Sequence, residues 1–282
     1  MTTITNPIPD TMRAAVLTAP GEPLQIQEIR TPRPKSREVL VKVTACGLCH
    51  SDLHVIHGSI AFPTPAVLGH EVSGVIVEMG ADTQHSGLEV GQQVCGAFLM
   101  PCGQCPDCAR GRDDLCAPFF TFNRLKGQLF DGTSRLADLD GNVIAQYSMG
   151  GLAEYCVIPV TAVTPAPESL DPVASSILGC AAMTGYGAVR HGADLQYGET
   201  VAVIGAGGVG SNIIQIAAEL GAAKVIAIDI DDTKLVAAAR LGATDTVNSR
   251  SRNAAEAVLE ITRGRGVDVA FELLEQLAVA LA

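Results

Sequence analysis

The sequence predicts an α/β protein of two domains, the second built on a parallel sheet. Three observations carry this. The chain has 282 residues, and at roughly 150 residues per domain that length forms two cores rather than one. Hydrophobic residues make up 48% and charged residues 17%, a balance that excludes disorder, because disordered chains lack the apolar surface to offset chain entropy. From Thr200 onward a buried strand, a glycine-rich turn, a helix and a second buried strand follow in order, which is the connectivity of parallel strands.

Charge and the chain start narrow the function classes. Lys and Arg total 19 against 30 Asp and Glu, a net charge of −11, the wrong sign for neutralising phosphates, so no nucleic-acid partner is expected. The acidic excess is scattered, as at Asp229, Asp231 and Asp232, and reads as a solubilising surface. Met1 to Asp10 has no basic run followed by an apolar one. The most apolar stretch, Val201 to Ile230, is interrupted by glycines, Asn212, Gln215 and Glu219, so no membrane partner is expected and the location is cytoplasmic.

In the first half, Val39 to Val43 alternates as a strand and runs into Cys46-Gly47-Leu48-Cys49-His50-Ser51-Asp52-Leu53-His54. This run gathers thiol, imidazole, hydroxyl and carboxylate groups within nine residues. Gly69-His70-Glu71 and the isolated Cys180 follow. By chemistry alone, a Cys, a His and a distant Cys make three zinc ligands and leave one position open; taken singly, each thiol also reads as a core residue.

Cysteine usage is sharper in the middle of the chain. Nine cysteines, an odd number, cannot all pair, and with no signal peptide a reducing compartment is expected. Cys102, Cys105 and Cys108 are spaced by two residues and Cys116 follows after seven, which lets four thiolates turn inward on one tetrahedral zinc. Pro101, Gly103, Pro106 and Gly111 supply turns, and Gln104, Asp107, Arg110, Arg112, Asp113 and Asp114 make the segment too polar for a core. An iron–sulfur cluster is the competing reading, disfavoured by the last spacing. Four protein ligands leave no open position, so this site is structural. Phe119, Phe120 and Phe122 follow it and either line a cleft or simply pack. Cys95 and Cys156 read as core thiols, and His57, His85 and His191 as solvated or capping.

The second half carries a dinucleotide fingerprint. The strand Thr200 to Ile204 leads into Gly205-Ala206-Gly207-Gly208-Val209-Gly210 and the helix Ser211 to Leu220; a second strand, Lys224 to Ile228, ends in Asp229, nineteen residues past Gly210. Gly205 serves the tight turn, Gly207 the approach of a pyrophosphate and Gly210 close helix packing, while the helix N-terminus favours negative charge. Asp229 accepts from ribose hydroxyls and repels a 2′-phosphate, which favours NAD over NADP.

Together these residues resemble the zinc-dependent medium-chain alcohol dehydrogenases. The Cys-Gly-x-Cys-His-Ser-Asp run, Gly-His-Glu about twenty residues on, the four-cysteine lobe, Gly179-Cys180 with Thr184-Gly185-Tyr186-Gly187, and the fingerprint occur in the family's order from about Met12 to Glu272. Asp131 to Arg135 and Gly150 to Tyr155 are similar to its liver-type branch. The resemblance implies a GroES-like β-rich catalytic domain over residues 12–170 and a Rossmann domain over 171–282, with the crossing near Pro165 to Pro172 and substrate in the cleft between them. It also implies that Cys49, His70 and Cys180 hold a catalytic zinc, with Glu71 beside the ion and Asp52 hydrogen-bonded to His70, while Cys46 packs. Cys102, Cys105, Cys108 and Cys116 hold a structural zinc, giving two per chain. Ser51 accepts the alcohol proton, which passes through the cofactor ribose to His54. His50 lies near the pyrophosphate; Thr184 and Val209 contact the nicotinamide, Gly208 also binds the cofactor, and Lys234 lies at its adenosine end.

Strand patterns in the second domain number four, Thr200 to Ile204, Lys224 to Ile228, Thr244 to Val247 and Val267 to Phe271, where a complete sheet of this kind has six. The resemblance implies a partial Rossmann domain, without the strand through which family members form homo-oligomers and without the return to the catalytic domain. Leu273 to Ala282 reads as a short amphipathic helix. The expected function is an NAD-dependent zinc alcohol dehydrogenase acting on a small alcohol or aldehyde. The alternatives are a truncated, inactive zinc protein and a related polyol or formaldehyde–thiol dehydrogenase.

Overall fold

The computed structural model describes residues 7–167 and 169–274. Most of the helix expected over Leu273 to Ala282 therefore lies outside the described residues. The chain divides into two compact units, Met1–Cys180 and Ala181–Ala282.

The first unit is strand-rich. In order it contains β1 (Thr11–Leu17), β2 (Gln25–Arg30), β3 (Glu38–Gly47), the helix α1 (His50–Ile56), β4 (Ala66–Val67), β5 (Glu71–Met79) and β6 (Gln93–Gly96). Then come α2 (Pro106–Ala109), β7 (Leu136–Ala137), β8 (Val143–Gln146), β9 (Tyr155–Pro159) and β10 (Val163–Pro165). One sheet runs β2-β1-β4-β8-β7 and another β10-β6-β5-β3-β9. Met12, Val16, Ile29, Leu40, Ile76 and Ile144 belong to the main core of this unit.

Register does the positioning. β3 pairs antiparallel with β5 through two irregularities until Gly47 stands opposite Glu71. The loop leaving β3 and the residue entering β5 are thereby brought side by side. β3 itself departs from the expected alternation: Glu38, Val39, Leu40 and Val41 are all buried, because the strand is internal to its sheet, between β5 and β9. Buried Glu38 is neutralised by Arg135, which donates from Nη2 at 2.5 Å and from Nε at 2.8 Å, and Asp131 accepts from Lys35 at 2.7 Å. The 131–135 segment thus ties itself to the start of β3 through charge pairs.

The second unit contains α3 (Ala181–Gly187), β11 (Thr200–Ile204), α4 (Gly208–Glu219), β12 (Lys224–Asp229), α5 (Asp232–Arg240), β13 (Asp245–Asn248), α6 (Ala254–Ile261) and β14 (Val269–Glu272). Its sheet is parallel in the order β13-β12-β11-β14, which is the 3-2-1-4 portion of a Rossmann sheet. Both faces are covered. Val201, Val203, Val225 and Ala227 pack with Ile213, Ile214 and Ala217 of α4, whereas Ala202, Ile226, Ile228 and Val247 pack with Ala257 of α6. The sequence pattern places α4 from Ser211, but the helix begins at Gly208 because Gly207 caps it. Among the described residues no helix is long and apolar enough to cross a membrane.

Candidate functional site

Three segments of the first unit meet at Cys49, His70 and Cys180, whose ligand atoms all lie within 4.8 Å of one another. Cys49 is the N-cap of α1, and His70 immediately precedes β5. Asp52, fully buried in the first turn of α1, joins them: its Oδ2 accepts from the Cys49 N–H at 3.2 Å and its Oδ1 from the Gly69 N–H at 3.1 Å. Cys180 arrives from much later in the chain, after the 3₁₀ segment Ala174–Gly179. Gly179 makes this possible, since a Cβ there would lie 1.8 Å from the Gly96 carbonyl oxygen, and its own carbonyl accepts from the Phe98 N–H at 2.9 Å. Ser73 Oγ also donates to the Pro172 carbonyl, so the whole approach is pinned to β5 and β6.

The three groups strongly perturb one another's protonation. Hydrogen bonding from the Cys180 thiol, opposed by burial and assisted by His70 and Ser51, draws the Cys49 thiol down to about 3. The same contact pushes the Cys180 thiol up, with burial and the Glu71 carboxylate adding to it. Burial would lower His70, but Asp52 and Cys49 hold it up at about 9. His70 Nδ1 lies 3.3 Å from Asp52 Oδ1, yet both ring nitrogens are buried without an aligned hydrogen bond. Asp52 is therefore beside His70, but the pair lacks the hydrogen-bond alignment expected from the sequence. A ring nitrogen without a partner, next to two sulfurs, is a donor set of the kind zinc takes. Glu71 is buried outside the trio and faces Cys180.

Around this cluster, Ser51 and His54 sit three residues apart on α1, and so on one face of it. Cys49 Sγ and Ser51 Oγ lie within hydrogen-bond distance, 3.7 Å apart. His50, the first residue of α1, is exposed. The wall of the site was not legible as a motif. Phe98 packs on His70 with ring centroids 4.7 Å apart, and Tyr147 at 5.8 Å. Arg124 lies over both rings. Of the phenylalanine cluster, Phe119 is buried against Phe98 at 5.9 Å while Phe120 is exposed.

The four lobe cysteines also converge, with all sulfurs within 4.8 Å. Cys105 and Cys108 sulfurs are 3.5 Å apart and those of Cys102 and Cys108 4.0 Å. A tetrahedral zinc with bonds of 2.3 Å spaces its sulfurs by about 3.8 Å, between these values. Backbone N–H groups of Gln104 and Cys105 donate to Cys102 Sγ, and that of Cys102 to Cys116 Sγ. The Cys108 backbone N–H is the main cause that draws the Cys105 thiol down to about 7.

In the second unit the glycine turn takes the form its residues require. Gly205 has φ +99, and a Cβ on Gly210 would lie 1.9 Å from the Gly205 carbonyl oxygen, so only glycine lets α4 approach β11 this closely. Gly207 and Gly208 are exposed, with nothing within 4 Å of a Cβ, and the α4 N-terminus presents free backbone N–H groups there. Asp229 Oδ2 accepts from Ala206 N–H at 2.8 Å, and Oδ1 from Ile230 and Asp231 N–H at 2.8 and 3.0 Å. Lys234 Nζ stands 3.9 Å from Asp229. Thr184 is exposed on α3, and Val209 lies in the first turn of α4, which packs on α3.

The sequence profile of the alcohol dehydrogenase GroES-like domain matches residues 35–168, and that of zinc-binding dehydrogenases matches residues 208–281. The S-(hydroxymethyl)glutathione dehydrogenase of Synechocystis sp. is 34% identical over 270 residues, spanning 95% of this chain and 72% of that protein. Among solved structures, an alcohol dehydrogenase zinc-binding domain protein from Burkholderia ambifaria superposes with a TM-score of 0.86 at 36% identity, covering 93% of this chain and 70% of that one. The benzyl alcohol dehydrogenase from Acinetobacter calcoaceticus gives 0.85 at 32% identity, over 94% and 71% of the two chains.

Proposed function

Because the chain belongs to the zinc-dependent medium-chain alcohol dehydrogenase family, we propose that it transfers hydride reversibly between a primary or secondary alcohol and NAD, giving the aldehyde or ketone. The observation that carries this reading is the meeting of Cys49, His70 and Cys180: three ligands leave a tetrahedral ion one open position for substrate. Cys49, His70 and Cys180 hold the catalytic zinc, and the four lobe thiols hold a second, structural one. Zinc supplies Lewis acidity that eases loss of the alcohol proton, and nicotinamide supplies the hydride acceptor. Ser51 accepts the proton, and His54, one turn further along α1, delivers a proton to water. Asp52 keeps the Cys49 and Gly69 backbones in place, and Phe98 and Tyr147 exclude water from one side of the imidazole. In the second unit Gly205, Gly207, Gly208 and Gly210 bring backbone N–H groups to the pyrophosphate, and Asp229, with an acceptor position still open, takes a ribose hydroxyl. Its negative charge supports NAD over NADP, with Lys234 at the adenosine end.

The test is alcohol-dependent reduction of NAD by the zinc-loaded chain, compared with Cys49→Ser and with NADP in place of NAD. The reading requires a loss of at least about 1,000-fold in the variant, the scale of removing a ligand of a Lewis-acid catalyst. Undiminished turnover in Cys49→Ser rejects it. The name of the Synechocystis relative, an S-(hydroxymethyl)glutathione dehydrogenase, favours a second reading, oxidation of a formaldehyde–thiol adduct, which substrate profiling separates from the first.

A further inference from the structure

Resting on the dehydrogenase reading above, we propose that Arg124 binds a carboxylate of the substrate, so that the chain acts on alcohols carrying an anionic group about one aromatic ring away from the hydroxyl. The guanidinium carbon lies 4.6 Å from the centre of the Tyr147 ring and 5.4 Å from that of Phe98. These are the two rings packed on His70. The 4.7 Å from His70 to Phe98 and the 5.4 Å from Phe98 to the guanidinium bound the span from imidazole to guanidinium at about 10 Å.

The cation has no carboxylate to balance it among the described residues. Arg124 Nη1 is buried without a hydrogen-bond partner, and so is the Tyr147 hydroxyl beside it. Among the described residues no carboxylate lies within ion-pair distance of Arg124. A buried donor left unsatisfied is costly, and a guanidinium has the planar fork that takes a carboxylate by two parallel hydrogen bonds. The two aromatic faces contribute attraction to the cation but leave Nη1 without an acceptor.

Its base is held rigidly. Arg124 closes the π-helical segment Phe119–Arg124, a conformation common at functional sites. The preceding residue, buried Asn123, donates from Nδ2 to the carbonyls of Gln146 and Ser148 at 3.1 and 3.2 Å, and its Oδ1 accepts from the Ser148 N–H at 2.8 Å. These bonds grip the backbone on both sides of Tyr147, so Arg124 is presented to that ring by a preorganised clamp.

The test uses 4-(hydroxymethyl)benzoate and its neutral counterpart 4-methylbenzyl alcohol with the zinc-loaded chain, as wild type, Arg124→Met and Arg124→Lys. Wild type is expected to favour the acid in kcat/KM by about 10- to 100-fold, the range of a charge-assisted pair. The ratio should fall to about 1 in the Met variant and lie between the two in the Lys variant. A uniform loss for both alcohols with the ratio preserved, or no preference in wild type, overturns the proposal. Calorimetric binding of 4-(hydroxymethyl)benzoate to the same three proteins supplies a readout independent of turnover. Binding that depends on Arg124 without oxidation of either alcohol rejects the dehydrogenase reading and keeps the carboxylate site. Oxidation of both alcohols alike, with binding indifferent to Arg124, does the reverse.

Discussion

Asp52 is the residue on which the candidate metal site depends most. It is fully buried, and its two oxygens separately accept the Cys49 and Gly69 N–H groups while lying 3.3 Å from His70 Nδ1. In Asp52→Asn only one oxygen remains to accept, so one backbone N–H faces an NH₂ group and loses its partner. An unsatisfied buried donor costs about 1–3 kcal/mol. In Asp52→Ala both are lost, at about 2–6 kcal/mol. Zinc affinity at Cys49, His70 and Cys180 should fall by about 10- to 100-fold in either variant, the usual cost of losing a group that orients ligands. Urea unfolding at fixed free zinc reads the first quantity and a chelator competition the second. The order wild type, Asn, Ala is expected in both. An Asn variant as stable as wild type, with twofold or smaller change in zinc affinity, would refute the claim that this carboxylate holds the two ligand segments together.

Other outcomes follow from the same geometry. Cys108→Ser should reduce bound zinc from two per chain to one and open the lobe to trypsin at Arg110 and Arg112, which digestion with mass analysis checks; two retained zincs would contradict the assignment. Gly179→Ala places a Cβ 1.8 Å from the Gly96 carbonyl oxygen, so the segment carrying Cys180 must shift. The lobe zinc should survive while the other is lost, with about 1–3 kcal/mol of destabilisation from overpacking. Against burial, which alone would raise it, hydrogen bonds from Lys35, Arg135 and Thr133 hold the Asp131 carboxyl below the ordinary carboxylate range. A depressed folded-state pKa means that this stabilisation is present above the ordinary value of about 4 and is lost as pH falls through the lower folded value. The urea midpoint of wild type should therefore exceed that of Asp131→Asn at neutral pH, with the difference shrinking below about pH 4.

How legible each feature was depended on sequence separation. The lobe was readable because its four sulfurs lie within fifteen residues and short loops alone bring them together. The glycine turn was readable for the same reason, although α4 starts three residues earlier than the pattern of its side chains indicates, a boundary set by Gly207 rather than by hydrophobic period. Cys180 was placed only through the family resemblance. What carries it to His70 is the contact of Gly179 with Gly96 and a hydrogen bond to Phe98, neither of which leaves a local pattern. Phe98, Arg124 and Tyr147 come from three unrelated segments, and their meeting around His70 depends on the Asn123 clamp, which no periodicity announces. β3 looked half-exposed because Lys42 interrupts its apolar run, but its first four residues are buried.

All the side chains proposed to hold metal fall within Met1–Cys180, and Cys180 is the last residue of that unit. This fixes an order of assembly. A chain emerging from the ribosome N-terminus first has every lobe thiol once residue 116 is out, whereas the Cys49–His70 pair must wait for residue 180 to gain its second sulfur. During that interval Cys49 and His70 offer a two-ligand site to any soft cation nearby, while the lobe is already able to close. Synthesis of residues 117–180 is therefore the period in which this pair is open to mismetallation, and the lobe is the first centre able to load.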